Sequence, residues 1–300
     1  MKDVRISLVS CAAAVGKIEE NVGKLVYWTH CARDAGSQIV CFPELSLIGY
    51  SLEAESVCIP QETALRIRNT LQHLADHTEM IVLAGWIEEC PSGKHAISHL
   101  VATPRGKMGH YRKTHLAPPE RTLYCAGKDV PVFRLVSATI GIQLCYDAHF
   151  PELSSIMSAN GMDILFVPHA SPHGSGQEKL KSWQRHLVAR AYYNAVFVLA
   201  CNLSGSNDAG LHFPGIALAI DPSGQVIDTM ITETESILTV DLKASVLANI
   251  RSHPMRHFFP NRRPELYANL TTHTIIDLGE PEHSLAFPGP KSESSPAAAE

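Results

Sequence analysis

Long apolar runs are missing from this chain. No stretch of 18 or more apolar residues occurs, so no transmembrane helix is expected, because about 20 such residues are needed to cross a bilayer. Long basic runs are missing too, and the formal net charge is −5. A nucleic-acid partner needs clustered Lys and Arg against phosphate, so none is expected; a mildly acidic, soluble surface accounts for the balance. The first ten residues have too short an apolar part for a secretory signal, and they alternate like a strand. No CxxC pair occurs among the eight cysteines. Cys11, Cys31, Cys41, Cys58, Cys90, Cys125 and Cys201 show neither metal nor disulfide spacing. Most of them are expected to be small buried hydrophobes in a reducing cytoplasm, the compartment expected for the protein.

What is present fits one large α/β domain. The chain has 300 residues, 45% of them hydrophobic and 18% charged, enough for a sizeable core. Strand-like and helix-like segments alternate. Residues 4–9, 39–42, 80–87, 140–144, 164–167, 195–201 and 237–240 read as strands. Residues 18–35, 63–77, 152–160 and 179–193 have helical spacing, the last with Trp183, Leu187, Val188 and Ala191 on one stripe. Residues 99–102 and a turn at Gly106 lead by a hairpin to Tyr111 and Lys113. A second hairpin, 215–220 with 225–229, turns at Asp221, Pro222, Ser223 and Gly224. This order implies an α/β class with largely buried strands. From Glu280 the composition shifts, and after Phe287 no large apolar residue remains. A domain over 1–279 and a disordered tail over 280–300 are therefore expected.

Three short segments carry the chemistry. Gly141-Ile142-Gln143-Leu144-Cys145-Tyr146-Asp147-Ala148-His149-Phe150-Pro151-Glu152 puts a thiol where an apolar strand breaks into a helix. Such an elbow exposes the sulfur and leaves nearby backbone N–H groups free for an oxyanion. Phe42-Pro43-Glu44-Leu45 places a carboxylate at a strand end. Tyr111-Arg112-Lys113-Thr114-His115-Leu116 supplies a cation 69 residues after Glu44, and Cys145 follows 32 residues later. Amide hydrolysis needs a nucleophile, proton transfer to the departing amine and charge stabilisation on the carbonyl oxygen, which a thiolate forming a thioester, a carboxylate acid/base and a cation can supply. Singly, each has a plainer reading, as a core thiol, a loop carboxylate and a surface lysine.

In this order and spacing the three segments resemble the nitrilase (carbon–nitrogen hydrolase) superfamily, from about residue 4 to about residue 270. The resemblance implies a four-layer α-β-β-α sandwich, often paired with a second copy across its helical face. It implies Glu44, Lys113 and Cys145 as catalytic residues, with the Tyr146 N–H beside Lys113 at the oxyanion. It further implies that Glu120, in Leu116-Ala117-Pro118-Pro119-Glu120-Arg121, positions Lys113 and substrate. Asp147, two residues past the thiol, resembles the amidase branches rather than the nitrilases. His149 departs from the arginine often found there. In the loop Pro168-His169-Ala170-Ser171-Pro172-His173-Gly174, His169 and His173 are substrate-contact candidates, as is Asn202 after the next strand. The loop offers His169, His173 and His149 no carboxylate at ligand spacing, so neither metal nor cofactor is expected. The segment from Arg256 to Tyr267 resembles the family's C-terminal stretch near its dimer interface, implying a homodimer or higher homo-oligomer.

The resulting expectation is a thiol hydrolase that cleaves a small linear amide to ammonia and a carboxylic acid. N-carbamoyl compounds and nitriles are alternative substrates. A cysteine protease using Cys145 and His149 would leave Glu44 and Lys113 unexplained. An inactive scaffold would require a lost triad residue, and none is lost.

Overall fold

The computed structural model describes residues 1–53, 59–90, 93–106 and 108–267. Its first compact unit, Met1–Asn261, holds two six-stranded sheets. In chain order the elements are β1 (Val4–Ser10), α1 (Ile18–Asp34), β2 (Ile39–Cys41), α2 (Gln61–Thr78), β3 (Ile81–Glu89), β4 (His95–Ala102) and β5 (Gly109–Arg112). The second half follows as β6 (Phe133–Arg134), β7 (Thr139–Ile142), α3 (Pro151–Ala159), β8 (Ile164–His169), α4 (Gly176–Asn194) and β9 (Phe197–Asn202). It closes with β10 (Gly205–Ser206), β11 (His212–Phe213), β12 (Gly215–Ile220), β13 (Val226–Thr232), β14 (Ser236–Leu242) and α5 (Ala244–Arg251).

One sheet runs β14-β1-β2-β3-β4-β5, the other β13-β12-β9-β8-β7-β6. β1 lies against β9 and β12, so the sheets face each other; α1 and α2 cover the first, and α4 covers the second with α3 beside it. This is the expected four-layer α-β-β-α sandwich. The apolar run of β2 is buried throughout, as is that of β8, because helices cover one face of each strand and the opposing sheet the other. β1, β2 and β3 are parallel, as are β7, β8 and β9. Their C-terminal ends open on the same side of the fold as the loops that follow them, where α/β sheets place ligands.

Several boundaries move. The fourth expected strand stops at Ile142 rather than Leu144, because Leu144 begins the turn at Cys145. α2 starts at Gln61, directly after Pro60, whose fixed φ suits a helix entry. β6, β10, β11 and α5 were not expected from sequence. Cys90 and Cys125 form a disulfide across 35 residues, which corrects the reading that these cysteines are unpaired thiols. It joins the end of β3 to the loop after Tyr124, a pairing that only the hairpin geometry brings about. Cys11, Cys41 and Cys201 are free and buried, as expected.

The second unit is Arg262–Glu300. Within it a short helix, Pro264–Tyr267, is described; the tail expected over 280–300 lies outside the described residues. Among the described residues, no helix is long and apolar enough to cross a membrane.

Candidate active site

Glu44 follows β2 by three residues and is fully buried. Its segment turns sharply, with Leu45 at φ 57°. It packs so closely on β3 that a Cβ at Gly85 would overlap Leu45 N and Pro43 O. Gly85 therefore lets the Glu44 turn sit where it does. Gly85→Ala is expected to destabilise the fold by about 1–3 kcal/mol and to lower kcat more than KM, because the carboxylate must shift. Urea unfolding and steady-state kinetics check both parts.

Lys113 follows β5 directly and is fully buried. Its Nζ donates to Glu44 Oε1 at 2.8 Å and to Glu120 Oε1 at 2.9 Å. The other oxygen of each carboxylate is also engaged: Ala170 N donates to Glu44 Oε2 at 3.0 Å, and Ala117 N donates to Glu120 Oε2 at 2.8 Å. One ammonium thus faces two buried carboxylates. Burial opposes the charge on Lys113, but Glu44, the Cys145 sulfur and Glu120 outweigh it and hold the ammonium well above its usual range. Burial pushes Glu44 up to about 7, with Lys113 opposing and Glu120 reinforcing the rise.

Cys145 opens a short 3-10 helix, Cys145–His149, in the left-handed region at φ 45°. A non-glycine residue held there costs on the order of 1–3 kcal/mol, a strain typical of reactive turns. The N–H groups at the start of this helix have no preceding turn to bond. The side chain is partly exposed. Burial by surrounding protein pushes the thiol up, Glu44 pushes it further, and Lys113 opposes them.

Asp147 ties this turn to the lysine segment. It is fully buried and accepts from Tyr111 OH at 2.8 Å, Thr114 Oγ1 at 3.0 Å, His115 N at 2.7 Å and Leu144 N at 3.0 Å. In the sequence Asp147 is a mark of substrate type; the geometry makes it a positioning residue. Asparagine would aim an amide N–H₂ at two of these donors. Asp147→Asn is expected to cost about 1–3 kcal/mol for each donor left unpaired. It should also lower kcat, readable by denaturant unfolding beside turnover.

Cys145 and Glu120 line a cavity of about 270 Å³ with Tyr50, Tyr146, His149, His169, Lys179, Trp183 and His186. His169 ends β8, its Nδ1 bonded to Val167 O at 2.7 Å and its ring stacked on Trp183 at 3.9 Å. Burial holds it well below its usual range, so it is neutral. His149 is exposed at the mouth, its ring 4.6 Å from that of His186. His173 is exposed and is not part of the cavity wall. Asn202 is fully buried behind the wall, where Oδ1 accepts from Ser171 N at 2.9 Å and Nδ2 donates to Ser171 O at 3.1 Å. It braces the loop rather than facing the cavity. The sequence by itself assigns no site role to Lys179 or His186, and Trp183 falls on the helical stripe of α4. Their signal was a helix that starts straight after a strand-end loop. Among the described residues, no group of three or more His, Cys, Asp or Glu is placed to hold a metal ion.

The chain is similar in sequence to the 2-oxoglutaramate amidase of Bacillus subtilis, 28% identical over 87% of this chain and 98% of that protein. It is also similar to an (R)-stereoselective amidase of Pseudomonas sp., 28% identical over 75% of this chain and 80% of that one. The structure of the amidase from Nesterenkonia sp. AN1 in complex with butyramide superposes with a TM-score of 0.76 at 23% identity, covering 89% of this chain and 96% of that one. The likeness extends to the fold. The family model for carbon-nitrogen hydrolases matches residues 5–252, which take in Glu44, Lys113 and Cys145 together with both sheets, and the chain belongs to that family of enzymes.

Proposed function

We propose that this carbon–nitrogen hydrolase cleaves a small linear amide through a thioester on Cys145. The observation that carries this reading is the Lys113 ammonium held between Glu44 and Glu120, beside a strained thiol that opens on a small cavity. That the Bacillus and Pseudomonas relatives are both amidases agrees with it. Near neutral pH the thiol keeps its proton and the Glu44 carboxylate ionises at about 7, so Glu44 is placed to take that proton as sulfur attacks. The carbonyl oxygen becomes an oxyanion, met by Lys113 and the Tyr146 N–H. Glu44 passes the proton to the nitrogen, the carbon–nitrogen bond breaks, and ammonia leaves a thioester. Water then loses a proton to Glu44, adds to the thioester carbon and expels the Cys145 thiolate. That thiolate recovers the proton as the carboxylic acid departs.

Glu120 shares Lys113 with Glu44 and keeps the ammonium from rotating away. A ureido carbon presents the same leaving ammonia, so an N-carbamoyl substrate is the nearest alternative. The exposed Ile156 on α3 and Tyr192 and Tyr193 on α4 suit self-association across the helical layer. The test is ammonia release from a panel of aliphatic amides, aromatic amides, N-carbamoyl amino acids and nitriles. Turnover of the amides above the other classes is expected; turnover of nitriles alone, or of none, overturns the reading.

A further inference from the structure

We propose that Lys179 forms an anion subsite on the cavity wall, so that the substrate is a small amide bearing a carboxylate at its other end. The inference rests on the reading that Cys145 attacks an amide in this cavity, and it names the substrate class.

Lys179 is half-buried and shares the cavity wall with Cys145. Its ammonium has three donors. Two are taken by neutral oxygens, Ser171 Oγ at 2.8 Å and Pro172 O at 2.9 Å. Burial lowers the Lys179 ammonium from its usual range and the Cys145 sulfur opposes that, while no carboxylate of the described residues pairs with it. The contrast with Lys113 is direct, since that cation is matched by two carboxylates. The acids nearest the cavity, Glu44 and Glu120, are both committed to Lys113. The histidines on the same wall are neutral: burial lowers His149 and His169 and brings His186 down to about 4. The wall therefore holds a cation that no carboxylate of the described residues pairs with directly.

Lys179 is also placed against local preference. It lies in the first turn of α4, where the helix dipole favours acids and disfavours a cation. The acid expected there is present as Glu178, but its carboxylate is used on Ser175 N and Oγ to cap the helix. The bond to Ser171 fixes the ammonium, and Ser171 is itself held by Asn202. A cation fixed in this way needs little reordering to receive a carboxylate. A cavity of about 270 Å³ suits a short chain between amide and carboxylate.

The test compares succinamate and glutaramate with neutral amides of the same shape, 4-methylpentanamide and 5-methylhexanamide. Binding is measured calorimetrically on the Cys145→Ala protein, with and without Lys179→Met. The carboxylated ligand is expected to bind about 10–100-fold more tightly, and Lys179→Met should remove most of that preference. In the protein with Cys145 intact, Lys179→Met should lower the ratio of kcat/KM for the charged over the neutral amide by a similar factor. A lysine that only braces the Ser171 loop would weaken both ligands equally. Equal binding of charged and neutral ligands, or a preference that survives Lys179→Met, overturns the subsite. A Lys179-dependent preference in a protein that releases no ammonia would leave the subsite standing and remove the amidase reading.

Discussion

Cys145→Ala is expected to reduce ammonia release by about 10⁵-fold or more, to background, while the protein unfolds at an unchanged denaturant midpoint. Removing a nucleophile that forms a covalent intermediate costs nearly the whole acceleration, because the remaining groups cannot supply the missing bond. The fold should be indifferent. Cys145 is a free thiol on the cavity wall, so no cross-link goes with it. Alanine meets the same left-handed backbone at φ 45° that cysteine already tolerates. Intact-protein mass spectrometry during turnover of a slow amide gives an independent reading: an acyl mass on the unaltered protein and none on the variant. Residual turnover within tenfold of the starting value would exclude Cys145 as the nucleophile.

Glu44→Gln should show a loss of rate and a relative gain in stability that both grow as pH rises through about 7. Glutamine cannot take a proton, so turnover is expected to fall by about 10²–10⁴-fold. The pH profile carries more information. Burial raises Glu44 to about 7, so kcat/KM of the unaltered enzyme should climb through about pH 7 as the carboxylate ionises. That acid limb should vanish in the variant. Stability runs the other way. In the unfolded chain Glu44 ionises near 4.5, whereas in the fold it keeps its proton to about 7. The stability this group contributes is full below about 4.5 and is lost as pH rises through 7. Glutamine has no such loss. The unfolding free energy of Glu44→Gln, measured relative to the starting protein, should therefore improve between pH 5 and pH 8. A difference that stays flat across that range would mean that Glu44 titrates normally in the fold.

The architecture was legible wherever it depends on short-range pattern. Period-2 and fully apolar runs marked β1, β2, β3, β8, β9, β12 and β14, and helical spacing marked α1 to α4. Asp221 to Gly224 marked the β12–β13 turn, where Asp221 Oδ1 accepts from Ser223 N at 2.8 Å and Gln225 N at 3.0 Å. Such signals are local and survive in a single sequence. Two-residue strands such as β6 and β11 have no period to detect, because a neighbouring chain segment creates them.

The sequence by itself determined the residue types for the chemistry and their order: a carboxylate at one strand end, a lysine after another strand, and a thiol where a third strand breaks. Only the tertiary structure decided their company. Glu44 and Lys113 are 69 residues apart in the chain and 2.8 Å apart in space. That closeness, with the burial that raises Glu44, exists only once two sheets exclude water between them. The same holds for Asp147 collecting donors from the lysine segment, for the Cys90–Cys125 pairing, and for Lys179 standing on the cavity wall without a carboxylate partner. Each is a property of distance and desolvation between segments far apart in the chain, which a linear pattern does not encode.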